Sequence, residues 1–122
     1  MSLANRLIIE HFPMLFGAPY CMVVGMEDYY KFEDNKRGER LGTQYYVVNN
    51  STASIDKIKV PDTVSAISKE EIDVANKAYT PILAEFSGFT AAIYTNKESA
   101  NIKYSCKAEG IRIIDREMIF DE

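Results

Sequence analysis

Apolar and polar residues alternate along five stretches of the chain, a pattern typical of β-strands that bury one face. The first stretch covers residues 19–32, and Gly25 within it predicts a bulge or a tight bend. Further strands are predicted over residues 41–49, 55–60, 82–95 and 102–108. Gly88 predicts a kink in the fourth strand, and residues 111–114 continue the fifth strand past a bulge.

One helix is predicted, over residues 68–80. Ser68 stands three residues before Glu71, the spacing of a capping box at a helix start. Ile72 and Ala75 then recur at helical spacing, and Pro81 disfavours helix at the residue before it. The helix therefore lies between the third and fourth predicted strands.

The chain is predicted to contain one domain, since 122 residues are enough for a single hydrophobic core. Residues 17–114 are predicted to form this domain. Residues 1–16 fit helix and strand periods equally and are predicted to be an N-terminal arm or an extra element. Residues 33–40 predict a charged loop, and residues 115–122 a short acidic C-terminal tail.

The order of the elements predicts the fold class, which is all-β with one helix. Three strands, a helix and two strands follow one another as in a five-stranded Greek-key barrel of the OB type, with the helix between strands 3 and 4. A ferredoxin-like fold needs two helices on one sheet face. An SH3-like barrel does not need a helix at this position. The OB barrel is the better interpretation.

Composition and motifs argue against catalysis. The net charge is −4, but residues 115–122 carry three of these charges, so the body of the chain is close to neutral. His11 is the single histidine, and Cys21 and Cys106 are too far apart in sequence for a short-spaced metal motif. We expect buried reduced thiols in a cytoplasmic protein, no enzyme activity, no metal and no cofactor. No membrane segment is predicted.

Outward tyrosines and lysines indicate binding of single-stranded nucleic acid, which needs aromatic faces for bases and cations for phosphates. Tyr45 and Tyr46 point to opposite faces, and we expect Tyr46 to be the outward one. The alternatives are solvated strand faces for the lysines and core packing for the tyrosines. The predicted DNA-binding residues are Tyr29, Lys31, Lys36, Arg37, Arg40, Tyr46, Lys57, Lys59, Tyr94, Lys103 and Lys107.

Residues 28–32 (DYYKF) and 44–48 (QYYVV), together with the chain length, the strand order and the acidic residues 115–122, resemble small phage-encoded single-stranded DNA-binding proteins built on one OB domain. The resemblance implies coating of single-stranded DNA in replication and recombination, a homodimer or tetramer, and the host cytoplasm as location. Bacterial relatives end in a longer acidic tail with apolar last residues, whereas Asp121 and Glu122 come last here.

Two further hypotheses remain open. Met118, Ile119 and Phe120 within the acidic tail form a candidate peptide for recruiting a replication or recombination protein. The barrel as a whole could also be a protein-interaction module, or an accessory subunit that touches DNA only within a replication complex.

Overall fold

The predicted strands join a single, strongly curled half-barrel sheet. A computed structural model describes residues 6–9, 12–95 and 102–114. Across these residues the sheet has the strand order β1-β6-β7-β4-β3-β2-β5-β8. The elements are β1 (Arg6–Ile9), α1 (Phe12–Phe16), β2 (Cys21–Glu33), β3 (Lys36–Asn49), β4 (Ser54–Pro61), α2 (Lys69–Lys77), β5 (Ile82–Ser87), β6 (Thr90–Thr95), β7 (Ile102–Lys107) and β8 (Gly110–Ile114).

The mostly-β class and the helix after the third predicted strand are confirmed, but the count of five strands is wrong. The described part of the chain contains eight strands and a second, short helix, α1. The predicted fourth strand is divided into β5 and β6, and the last predicted run is a separate strand, β8. Residues 6–9 add β1, which pairs with β6.

The division of these strands leaves their pairing register intact. Ser87 pairs with Gly110 before the break and Thr90 pairs with Lys107 after it, so each strand advances by three residues. The Glu109 N–H donates to the Ser87 carbonyl across the gap at 2.8 Å. Residues 82–95 and 102–114 thus form one antiparallel hairpin with a bend in both strands. Gly88, the predicted kink, has a φ of +60° at this bend.

The two halves of the bent hairpin pair with different strands of the β2–β3–β4 meander. In one half, β7 pairs in parallel with β4 through Ile58 and Cys106. In the other half, β5 pairs antiparallel with β2 through Cys21 and Ala84. The hairpin therefore connects the two outer strands of the meander, which accounts for the curl of the sheet.

Residues 33–40 were predicted as a loop, and this is wrong. Asp34 and Asn35 have φ values of 50° and 62°, as a two-residue type I′ hairpin turn requires. Because that turn matches the twist of the strands, the ladder continues to the tip, where Glu33 pairs with Lys36. Strands β2 and β3 thus extend beyond β4 as a two-stranded ribbon.

The bulge predicted at Gly25 is confirmed, because the register shifts between Val23 and Gly25. Helix α2 packs against β2, and its Asn76 Nδ2 donates to the carbonyl of the intervening Val24 at 3.0 Å. The capping box of Ser68 and Glu71 is present as predicted. A buried carbonyl left unpaired by a bulge is costly, so this bond stabilises both the bulge and the helix position.

The core lies on the inner face of the curled sheet. Tyr45 and Ile58 from the meander are fully buried, as is Ile72 from α2. Helix α1 adds Phe12 and Phe16, whose rings stack with centroids 4.4 Å apart. Phe12 and Phe16 therefore belong to the core rather than to a free arm.

The Gly42→Ala substitution should lower the free energy of unfolding by about 1–3 kcal/mol, because it overpacks a closed site. A Cβ on Gly42 would meet the Val60 carbonyl oxygen and lie 2.7 Å from Pro61 Cα. The matched control is Gly38→Ala, where the nearest atom lies at 3.1 Å. Urea unfolding followed by circular dichroism measures both. Equal stability of the two variants would contradict this account of the β3–β4 contact.

The two cysteine thiols should react slowly with thiol reagents in the folded protein. Cys21 and Cys106 are free and buried, and burial raises the pKa of each thiol from 9.0 to about 12. We expect Ellman's reagent at pH 8 to react slowly before unfolding and with two thiols in denaturant. Since the folded pKa values are raised, the thiols' contribution to stability is complete below pH 9 and is lost between pH 9 and 12. Immediate native reaction of both thiols would refute the burial.

Candidate nucleic-acid interface

The outer face of the curled sheet gathers several of the predicted binding residues. Tyr46 pairs with Lys57 across β3 and β4, and Gln44 pairs with Lys59. Lys59 is in turn aligned with Lys107 in the parallel β4–β7 pair. Residues paired across strands share a face, and the alternate positions are buried, so these side chains lie on the side opposite the core. Tyr46 is the outward residue of the Tyr45–Tyr46 pair, as predicted.

Two tyrosine rings on this face each have a lysine above them. The Lys57 ammonium lies 5.6 Å from the centroid of the Tyr46 ring, and the Lys59 ammonium lies 5.5 Å from that of Tyr29. Both tyrosines are half-buried, and both lysines are exposed. Such cation–π contacts hold flexible lysines near the rings at a modest energy. The face therefore presents two neighbouring pairs of aromatic ring and cation.

Tyr46 is held in place by residues that sequence reasoning missed. Its hydroxyl donates to Glu27 Oε1, which also accepts a hydrogen bond from Gln44 Nε2 at 2.8 Å. The bond to Glu27 raises the pKa of Tyr46 above its usual value, because the protonated phenol is the donor. The ring also lies close to Gly25, where a Cβ would be 3.3 Å from Tyr46 Cδ2. The signal in the sequence is the alternation that places Glu27 and Gln44 on the outer face.

Arg40, a predicted phosphate contact, forms several contacts within the fold. Its Nε donates to Asp28 at 2.8 Å, and its Nη2 lies 3.0 Å from Asp62 Oδ1 and donates to Thr43 Oγ1 at 2.9 Å. Its Nη1 donates to the Asp62 carbonyl at 3.0 Å. The guanidinium thus links β2, β3 and the segment after β4. These four contacts engage all three guanidinium nitrogens, so a phosphate would have to compete with Asp28 and Asp62 for Arg40, and the phosphate contact stays a prediction.

The other three predicted cations of this region lie on the ribbon, outside the segment that pairs with β4. Lys31 forms an exposed ion pair with Glu33 at 2.7 Å, a kind of contact that contributes little stability. The Arg37 guanidinium lies 4.4 Å from the centroid of the Tyr30 ring. Lys36 is exposed beside the turn. The structure therefore divides the predicted residues into an outer face and a ribbon.

Other predicted residues are only partly described. Tyr94 and Lys103 are paired across β6 and β7. Met118, Ile119 and Phe120, the proposed partner-binding tail, lie outside the described residues, as does His11.

Comparisons with known proteins identify no relative: no family model, no curated protein and no solved structure matches the chain. In the part that the structure describes, no helix is long and apolar enough to cross a membrane. Within the same residues, no group of three or more His, Cys, Asp or Glu side chains is placed to hold a metal ion.

The Arg40→Ala substitution should lower the melting temperature, because it leaves the Asp28 and Asp62 carboxylates close together without their shared cation. Arg37→Ala removes the same charge from the ribbon, where the exposed guanidinium lies over the half-buried Tyr30 ring, and serves as the control. Thermal unfolding by circular dichroism compares the two variants. If both melt like the wild type, Arg40 does not crosslink the strands.

Proposed function

We propose that this protein binds single-stranded DNA, with little dependence on sequence, on the outer face of β3 and β4. The observation that carries the proposal is the pairing of Tyr46 with Lys57 and of Tyr29 with Lys59 on that face. Aromatic rings beside cations are what stacked bases and their phosphates require. The protein acts by binding, without catalysis or a cofactor.

The proposal includes an OB-type barrel. Its support is the connectivity: a three-strand meander, helix α2, then one bent hairpin whose halves pair with β4 and β2. With the breaks at Gly88 and Glu109 disregarded, the long strands follow the order of a closed five-stranded Greek key. In OB domains, oligonucleotides bind across the second and third strands, which correspond here to β3 and β4.

Binding requires the lysines to change partners. Without DNA, the ammonium groups of Lys57 and Lys59 lie over the rings on which bases would stack. A bound strand places a base on each ring and offers a phosphate to each displaced ammonium. Exchange of a weak cation–π contact for a base stack and a phosphate contact is favourable, since each stacked base contributes about 1–3 kcal/mol. Stacking accepts any base, which explains tolerance of sequence.

The biological setting is a part of the proposal that comes from the resemblance to phage proteins. In that setting the protein coats single-stranded DNA during replication and recombination in the host cytoplasm. It acts there as a homodimer or tetramer, with replication or recombination proteins as partners.

A protein-interaction module is the second candidate, favoured by exposed apolar side chains around α2. Val64, Val74 and Tyr79 are 79%, 68% and 92% exposed. Tyr79 also has a φ of 59°, an unusual conformation for a bulky residue at the end of a helix. None of these residues belongs to β3 or β4, so the two candidates can be tested with separate variants.

Titration with oligo-dT should quench the intrinsic fluorescence of the protein, which comes from eight tyrosines and no tryptophan. Tyr29→Ala and Tyr46→Ala should each weaken binding by about 1–3 kcal/mol. Replacement of Lys57 or Lys59 by Gln should lower the slope of log affinity against log salt by about 0.7 for each phosphate that the variant no longer binds.

Matched controls come from α2. Tyr79→Ala removes an exposed tyrosine, and Lys69→Gln and Lys77→Gln remove exposed lysines, all outside the proposed face. These variants should bind as the wild type does, and duplex DNA should bind weakly. Absence of any binding to oligo-dT at low salt would refute the function and favour the protein-interaction module.

A further inference from the structure

A cavity of about 420 Å³ opens on the outer face where Tyr29 meets the bend of the hairpin. Its volume falls in the range of roughly 300–1,000 Å³ typical of small-ligand sites. Tyr29 comes from β2, and Pro61 follows Lys59 along β4. Lys107 ends β7, Glu109 lies in the break before β8, and Thr90 begins β6. Four strands, β2, β4, β6 and β7, therefore converge on one site beside a stacking platform.

One side of the cavity is suited to a stacked base and its phosphate. The Tyr29 ring has the Lys59 ammonium 5.5 Å from its centroid, and Lys59 is aligned with Lys107 on the neighbouring strand. Neither lysine forms an ion pair with any residue that the structure describes. Two such cations beside one aromatic ring favour an anion next to a flat ring, as in a nucleotide.

The other side of the cavity carries a carboxylate whose position is determined by the hairpin bend. Glu109 donates its N–H to the Ser87 carbonyl, and its side chain lies against Gly88. A Cβ on Gly88 would come within 2.6 Å of Glu109 Oε2, so any other residue at position 88 would require the Glu109 side chain to move. No described residue donates a hydrogen bond to this carboxylate.

A carboxylate at this point repels phosphate and can only accept hydrogen bonds. The hydrogen-bonding edges of cytosine and adenine carry an amino group that donates, as guanine does through its N2 amino group. Thymine presents the O4 acceptor where cytosine has its amino group, and its single donor, N3–H, lies between O2 and O4, two acceptors that repel a carboxylate. Glu109 is therefore complementary to an amino-bearing base and unfavourable for thymine.

We propose that this cavity is a base-reading subsite, in which one base of the bound strand stacks on Tyr29 and donates an amino hydrogen bond to Glu109. Lys59 and Lys107 hold the adjacent phosphates. The inference rests on the proposed DNA binding and adds to it a preference for cytosine over thymine at one position. The remaining contacts stay tolerant of sequence.

The test compares dissociation constants of oligo-dC and oligo-dT of equal length, measured by fluorescence polarisation at one salt concentration. Wild-type protein should bind oligo-dC about ten- to a hundredfold more tightly, as expected for one hydrogen bond to a charged group. Glu109→Gln should abolish this ratio and bind oligo-dT no more weakly than wild type does. Glu70→Gln removes the same charge from α2 and should keep the ratio.

A change in the ligand provides a second measurement that needs no protein variant. Oligonucleotides with N4,N4-dimethylcytosine lack the donor hydrogens, so wild-type protein should bind them no more tightly than oligo-dT. Equal affinity for oligo-dC and oligo-dT, or a preference that persists in Glu109→Gln, overturns the subsite while leaving DNA binding intact. Failure of both strands to bind overturns the proposed function and the subsite together.

Discussion

The fold depends on one constraint, which is that a single antiparallel hairpin pairs with both outer strands of the β2–β3–β4 meander. A straight hairpin could not do so, because β2 and β4 lie on opposite sides of β3. The bend at Gly88 and Glu109 resolves this without a change of register. Gly88 adopts a φ of +60°, which costs a glycine little. The curl of the sheet follows from this local bend in the hairpin.

The same bend determines which side chains surround the cavity on the outer face. It brings Lys107 into line with Lys59, and the Ala108 N–H donates to the Lys59 carbonyl at 2.9 Å. It also places the Glu109 carboxylate beside Tyr29, because Gly88 has no side chain to exclude it. The residues that shape the backbone and those that line the cavity are therefore partly the same. A change at Gly88 would alter the sheet and the site together.

Local sequence patterns predicted the features that neighbouring residues determine, and they missed those that depend on distant residues. Alternation located the strands and the outward side of Tyr46, and the spacing of Ser68 and Glu71 located the start of α2. The ribbon was missed because a charged segment with turn formers is typical of a loop, whereas two left-handed residues extended the ladder. The carboxylate partners of Arg40 are 12 and 22 positions away, so no short-range signal distinguished a crosslink from a phosphate contact.

The net charge of −4 is compatible with binding a polyanion, because several acidic side chains are engaged within the fold whereas the lysines of the outer face are not. Several acids are engaged, as Asp28 and Asp62 bind Arg40, and Glu27 accepts from Tyr46 and Gln44. The lysines of the outer face have no such partners among the described residues, since their contacts are with aromatic rings. Fields from exposed charges fade over about 8 Å at physiological ionic strength. A phosphate on this face would therefore respond mainly to the nearby lysines, and the total charge of the chain is a poor guide to what it binds.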